Sequence, residues 1–187
     1  MLKEDPYNEK MAVELAKDVD RLQLVSDRFS KIGSTPKLEE KDLLIQVGNM
    51  VDYIRRRSPE KVQFIINAGN ELTIPVKISA SLFDWVIENL LKNALDAMGG
   101  KGIITIDIFQ TNQHVQIDVT DTGKGIAFTN INKVFKPGFT TKRRGWGLGL
   151  TLSRRIIQQY HKGQLFVKNS EAGKGTTFRI ILHKDVG

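Results

Sequence analysis

Strand pairs alternating with helices, one antiparallel hairpin, and an amphipathic helix set apart by a stop signal predict an α+β fold. The expected architecture is a two-layer α/β sandwich, a mixed sheet covered by helices, preceded by an N-terminal bundle-type helix. At 187 residues with 40% hydrophobic content, the chain has enough apolar surface for one substantial core and a smaller appendage.

The appendage comes first. Met11, Leu15, Leu22, Val25, Phe29 and Ile32 follow alternating steps of four and three, with Asp18 at the one interrupted position, as in a bundle helix seeking a partner. The same stripe could also pack onto the rest of the chain. Gly33 followed by Ser34, Thr35 and Pro36 is a C-cap and stop signal. The expected boundaries are therefore 1–37 for helix plus linker and 38–187 for the main domain.

Within that domain the period predicts a helix over 39–57, strands over 62–68 and 72–77, and a helix over 81–98. Ile103 to Phe109 and Val115 to Val119 read as strands, and Gln110 to His114 between them has a length suited to a hairpin. A helix over 147–161 and strands over 164–167 and 176–182 close the pattern. Residues 127–146 carry no stable period and are long for an ordinary loop, which suggests a lid.

Composition narrows the function. Without cysteine there are no disulfides or Cys-ligated metals, which fits a reducing compartment. No run approaches the roughly 20 apolar residues that span a bilayer, so a cytoplasmic domain is expected. The formal charge of +7 raises nucleic acid as a partner, but no zinc-ligand spacing or RNP-like aromatic pattern accompanies it. Lys133, Lys136, Lys142, Arg143 and Arg144 instead crowd one glycine-bearing segment. A local anion such as a triphosphate accounts for them better.

Four constellations carry chemistry, the third and fourth running together in one segment. In ENLLKNALDAM, the predicted helix puts Glu88, Asn89, Lys92, Asn93 and Asp96 on one arc, and Phe83, Ile87, Leu90, Leu91, Ala94 and Met98 on the other. Two amides one turn apart, flanked by carboxylates, suit a partly hydrated Mg²⁺ beside phosphates, although a solvated helix face would look the same. DTGKGI, Asp121 to Ile126, ends a strand, and its Gly123 and Gly125 permit close backbone approach by a flat base. A buried Asp121 carboxylate would accept the exocyclic amine of adenine and oppose the carbonyl of guanine. VFKPGFTTKRRGWGLGL, Val134 to Leu150, brings Gly145, Gly147 and Gly149 to a predicted helix N-terminus, a setting that favours phosphate.

In this order and spacing, Asn89–Asn93, Asp121–Gly125, Phe135–Lys142 and Gly145–Gly149 resemble the N, G1, F and G2 boxes of the GHKL (Bergerat-fold) ATPase superfamily, over about residues 38–185. The GTTF at Gly175–Phe178 resembles its closing strand, and the wording is most like bacterial sensor histidine kinases. The resemblance implies ATP and Mg²⁺ as ligands under a mobile lid. Asn93 would ligate the metal with Asn89 beside it, Asp121 would bind adenine with support from Thr176, and Gly123 and Gly125 would shape the turn. Gly145, Gly147, Leu148 and Gly149 would cradle phosphates, with charge from Lys142 and Arg143. Glu88 and Asn89 would stand nearest the chemistry.

Two departures from the family pattern are informative. Many histidine kinases have Lys or Arg three residues after the magnesium asparagine, where this chain has Asp96. Residues 1–113 contain no histidine, although the family's phosphoacceptor is one on a helix. His114, His161 and His183 read as structural or exposed. The resemblance therefore implies a piece of a larger receptor kinase, homodimeric and compatible with membrane anchoring. Its histidine-bearing helix would lie upstream of Met1, and its onward partner would be a response-regulator receiver domain. A gyrase-like hydrolase, whose glutamate would occupy the place of Asn89, and a nucleotide-gated binding module such as an anti-sigma-factor-like serine kinase are the alternatives.

Overall fold

The computed structural model describes residues 36–142 and 145–184. The predicted helix of residues 8–32 lies outside the described residues, as do Arg143 and Arg144. Everything described from Lys37 onward belongs to one compact unit.

The unit opens with β1 (Glu39–Asp42) and α1 (Leu43–Arg55), where a single helix was expected. Asp42 makes the division. Its Oδ1 accepts from the Leu44 N–H at 3.0 Å, an N-cap, and from the Ile74 N–H at 3.2 Å. After β2 (Val62–Asn67), β3 (Pro75–Ile78) returns to pair antiparallel with β1 in a small sheet of its own. The two strands expected near 62–68 and 72–77 therefore do not pair with each other.

The long helix α2 (Ala80–Met98) stops at Gly99, whose left-handed φ of 63° is an ordinary helix exit. It buries Leu82, Phe83, Val86, Ile87, Leu90, Leu91, Ala94 and Met98 on one side. Its crossover lets β4 (Gly102–Gln110) lie parallel to β2, while β4 and β5 (His114–Asp121) form the expected antiparallel hairpin.

A short α3 (Phe128–Ile131) begins the lid region. Past it, α4 (Gly149–Arg155) widens into a π turn (Ile156–Tyr160), and β6 (Gln164–Glu171) and β7 (Gly175–His183) complete a five-stranded sheet of order β2-β4-β5-β7-β6. Only the β2–β4 pair is parallel. Ile104, Ile106, Ile108, Val115, Ile117, Val119, Phe178, Ile180 and Leu182 recur at every second position and form the core under the helices. This is the two-layer α/β sandwich predicted. Among the described residues, no helix is long and apolar enough to cross a membrane.

Two buried polar groups tie elements together, one across neighbouring strands and one between helices. Asp118, 2% exposed, accepts from Arg179 Nε and Nη2 at 2.6 and 2.7 Å and from Lys168 Nζ at 2.8 Å. Burial opposes its charge, but these donors prevail and hold the carboxyl below its usual range. His161, 1% exposed, joins the end of the π turn to the start of α2. Its Nε2 accepts from the Ser79 N–H at 3.2 Å, its Nδ1 lies 3.2 Å from the Ile156 carbonyl, and its ring meets Phe83 edge-on.

Burial lowers the His161 pKa, and protonation would leave the Ser79 N–H facing another donor. The stability linked to the neutral ring is complete above the ordinary value of about 6.5 and is lost as pH falls through it toward the depressed folded value. Urea unfolding midpoints should therefore drop between about pH 7.5 and 5.5, and His161→Gln should flatten that slope.

Candidate functional site

Asp121 ends β5 between Ile104 of β4 and Thr176 of β7. It is 4% exposed, and its Oδ1 accepts the Gly123 N–H at 2.8 Å. Burial pushes its carboxyl up from the usual range, and N–H bonds from Gly123 and Thr176 pull the other way. The site thus holds a largely desolvated acceptor with donors behind it.

Close approach builds this corner. A Cβ at Gly123 would sit 2.7 Å from both the Ala97 carbonyl carbon and Asp121 Oδ1, so the turn can lie flat on α2 only as glycine. Gly175, at φ +115°, faces the Asp121 carbonyl oxygen with no room for a side chain. Buried Thr176 carries its hydroxyl 2.9 Å from Ser170 Oγ, which accepts the Ile126 N–H at 2.8 Å. The Lys124 N–H donates to the Ala97 carbonyl at 3.0 Å, so the turn through half-buried Gly125 is tied to both α2 and β6.

The polar arc of α2 runs past the same region. Asn89 Nδ2 donates to Ser153 Oγ on α4 at 2.9 Å, and Gly149, the first residue of α4, lies directly against the Asn89 side chain. One turn on, Asn93 Oδ1 accepts from Lys142 Nζ at 2.8 Å, and Lys142 also reaches Asp96 Oδ2 at 2.5 Å. The Asn93 amide oxygen therefore faces a cationic group, and a hard oxygen of this kind is the type that would ligate Mg²⁺. Glu88 Oε1 accepts from Lys92 Nζ at 2.6 Å, which turns Lys92 along the helix.

The lid stands on a narrow neck. The Gly138 N–H donates to the Gly147 carbonyl at 3.2 Å, closing the loop that carries Lys142. Gly147 packs on Gly138 and Phe139, half-buried Leu148 caps α4, and a Cβ added at exposed Gly145 would meet Thr140 Oγ1 at 3.5 Å, an ordinary contact. Phe135 fixes the near end: its ring meets Phe178 edge-on, the Arg154 guanidinium lies 4.0 Å over it, and Thr151 Oγ1 donates to its carbonyl at 3.0 Å.

The structure thus gathers Asn89, Asn93, Lys142, Leu148 and Gly149 around α2, and Asp121, Gly123, Gly125 and Thr176 at the adjoining sheet end. Ser153, Ser170, Arg154 and Gly175 have positioning parts that the sequence reading did not assign as site residues. A serine at 153, on the buried stripe with Leu152, Ile156 and Ile157, was the available signal for the first.

Comparison with known proteins agrees with this arrangement. The family model described as histidine kinase-, DNA gyrase B-, and HSP90-like ATPase matches residues 79–186, more than half of the chain. Sensor histidine kinase ZraS of Escherichia coli (strain K12) is 31% identical over 175 residues, covering 92% of this chain and 37% of that protein. The catalytic domain of histidine kinase ThkA superposes with a TM-score of 0.69 at 27% identity, covering 79% of this chain and 96% of that one. ThkA solved in complex with the response regulator TrrA shares the fold, with a TM-score of 0.73 at 23% identity over 97% of this chain and 53% of that one. The chain spans under two fifths of the length of the curated relatives it matches. With the corner around Asp121 and the asparagine face of α2 in place, the chain belongs to the histidine kinase-, DNA gyrase B-, and HSP90-like ATPases, and its described domain is of the catalytic, ATP-binding kind found in histidine kinases.

Proposed function

We propose that this chain binds Mg·ATP as the catalytic part of a sensor histidine kinase and donates the γ-phosphoryl to a histidine on a helix of the parent protein outside residues 1–187. The observation that carries this reading is the buried Asp121 carboxylate, backed by the Gly123 and Thr176 N–H groups, beside the amide face of α2. Asp121 accepts the exocyclic amine of adenine and rejects a carbonyl oxygen at the same place. Thr176 and Ser170 keep that carboxylate oriented. Gly123 and Gly125 let the base lie against the turn, while Gly147, Leu148 and Gly149 bring backbone N–H groups toward the phosphates, with Gly145 in the lid beside them.

Asn93, with Asn89 beside it, would hold Mg²⁺, which supplies charge neutralisation at the phosphates. Lys142 and Arg143 add positive charge from the lid. Glu88, adjacent to Asn89, orients the incoming nucleophile. That nucleophile is an imidazole nitrogen, which bonds to the γ-phosphorus as the bond to the β–γ bridging oxygen breaks and ADP leaves. Such a transfer asks for positioning and charge neutralisation rather than a strong base. Residues 1–37 belong in this reading to the dimerisation and phosphotransfer hairpin of a homodimeric parent, with 38–187 as the catalytic domain. The domain would lie in the cytoplasm, and the parent would be anchored in the inner membrane. The onward acceptor would be a response-regulator receiver domain, the class of partner with which ThkA was solved.

ATP and ADP should bind in calorimetry with micromolar affinity and only with Mg²⁺, and GTP should bind far more weakly. Asp121→Asn and Asn93→Ala should each weaken binding severely while stability stays within about 1–2 kcal/mol. The sign at 121 is specific. Its raised pKa means the buried carboxylate costs stability above that value and the cost is relieved as pH falls through it, so neutral Asn at 121 should leave the melting temperature unchanged or higher at pH 7. Equal affinity for GTP and ATP would remove the adenine assignment.

Incubated alone with labelled ATP, the chain should form no acid-labile phosphohistidine, and adding the parent's histidine helix should produce it at a rate that rises with helix concentration. Brisk ATP hydrolysis without an acceptor would overturn the kinase reading in favour of a hydrolase.

A further inference from the structure

Among the described residues, Lys142 carries the lid onto the ligand face of α2. Lys142 carries its ammonium onto Asn93 Oδ1 at 2.8 Å and Asp96 Oδ2 at 2.5 Å, bridging two residues on successive turns of the helix. Its own backbone N–H is held by Thr140 Oγ1 at 3.1 Å, and the loop that carries it is pinned at its neck by the bond between Gly138 and Gly147. The contact therefore closes a ring from neck to lid to helix. Asn93 alone offers a neutral acceptor. The charge that draws an ammonium to it comes from Asp96.

We infer that Asp96 is a positioning residue that latches Lys142 onto the metal-binding oxygen of Asn93, so that Mg·nucleotide must displace the ammonium, which then becomes available to the phosphates. The inference rests on the nucleotide-site reading above. Its physical basis is competition: an ammonium donor and a divalent cation cannot share one amide oxygen without bringing two positive charges into contact. The latch also neutralises a carboxylate that would otherwise face the phosphates. Both partners are partly solvent-exposed, 41% for Lys142 and 58% for Asp96, so the latch is weak enough for a nucleotide to open. A lid cation is thus stored on the helix until it is needed.

Two measurements test this, the first without nucleotide. Mass spectrometry of limited tryptic digests should show cleavage after Lys142 accelerating about two- to fivefold in Asp96→Asn, with Asp96→Glu restoring the slow rate, as expected for an exposed pair. Unchanged cleavage would overturn the latch.

The second is a double-mutant cycle read by calorimetry with ADP and Mg²⁺. Asp96→Asn should tighten binding about two- to fivefold more in the wild-type background than in a Lys142→Met background, where only the bare carboxylate's repulsion is relieved. A gain of equal size in both backgrounds would mean that Asp96 acts only as a bare charge near the phosphates, and the latch would be wrong. No ADP binding by the wild-type chain would instead remove the nucleotide-site reading itself.

Discussion

A carboxylate kept out of water at the end of β5 constrains everything around it. Asp121 sits where three strands and a helix meet, and burying it would be prohibitive without donors aimed at its oxygens. Those donors are backbone N–H groups of Gly123 and Thr176, and each can reach only if its neighbour is small. A side chain at Gly123 would strike Ala97, and one at Gly175 would strike the Asp121 carbonyl. The glycines, the alanine on α2 and the antiparallel register of β5 with β7 together keep this one acceptor buried and paired.

The second half of the site follows from the two faces of α2. Its apolar stripe is buried against the sheet and the neighbouring helices, which fixes the helix rotation and leaves Asn89, Asn93 and Asp96 on the opposite arc. Asn89 is tethered to Ser153, itself 0% exposed, and Gly149 lies against it, so the start of α4 and the middle of α2 are set at a fixed separation. The lid attaches to this rigid pair at Phe135, whose ring is clamped by Arg154 and Phe178. A segment that closes over a ligand needs a fixed base, and this clamp would supply one.

The two-layer sandwich was legible from the alternation of periods. Asp121, Gly123, Asn89 and Asn93 stood out because the roles expected of them call for particular residue types at particular spacings, whereas Thr176 was singled out only through the family resemblance. The β4–β5 hairpin was legible from alternation and loop length. β1 was not: four residues of EEKD carry no apolar alternation, and only the pairing with β3 and the cap supplied by Asp42 make them a strand. The parallel pairing of β2 with β4 was also hidden, since register across a helical crossover is decided by tertiary packing rather than by any local turn. The bridge from Lys142 to Asp96 joins residues far apart in the chain and depends on the path of the lid, so sequence could mark the departure at Asp96 without supplying its partner.

The central claim is that the Asp121 carboxylate recognises the adenine amine, and amide resonances report on it at the atoms concerned. In ¹H–¹⁵N correlation spectra of the labelled chain with Mg²⁺, ADP should shift the Gly123 and Thr176 amides most strongly, because both donate to the carboxylate that takes the new bond. Inosine diphosphate, which differs in carrying a carbonyl oxygen where adenine has its amine, should leave those two amides in place at the same concentration. Equal displacement of both resonances by the two nucleotides would contradict the account.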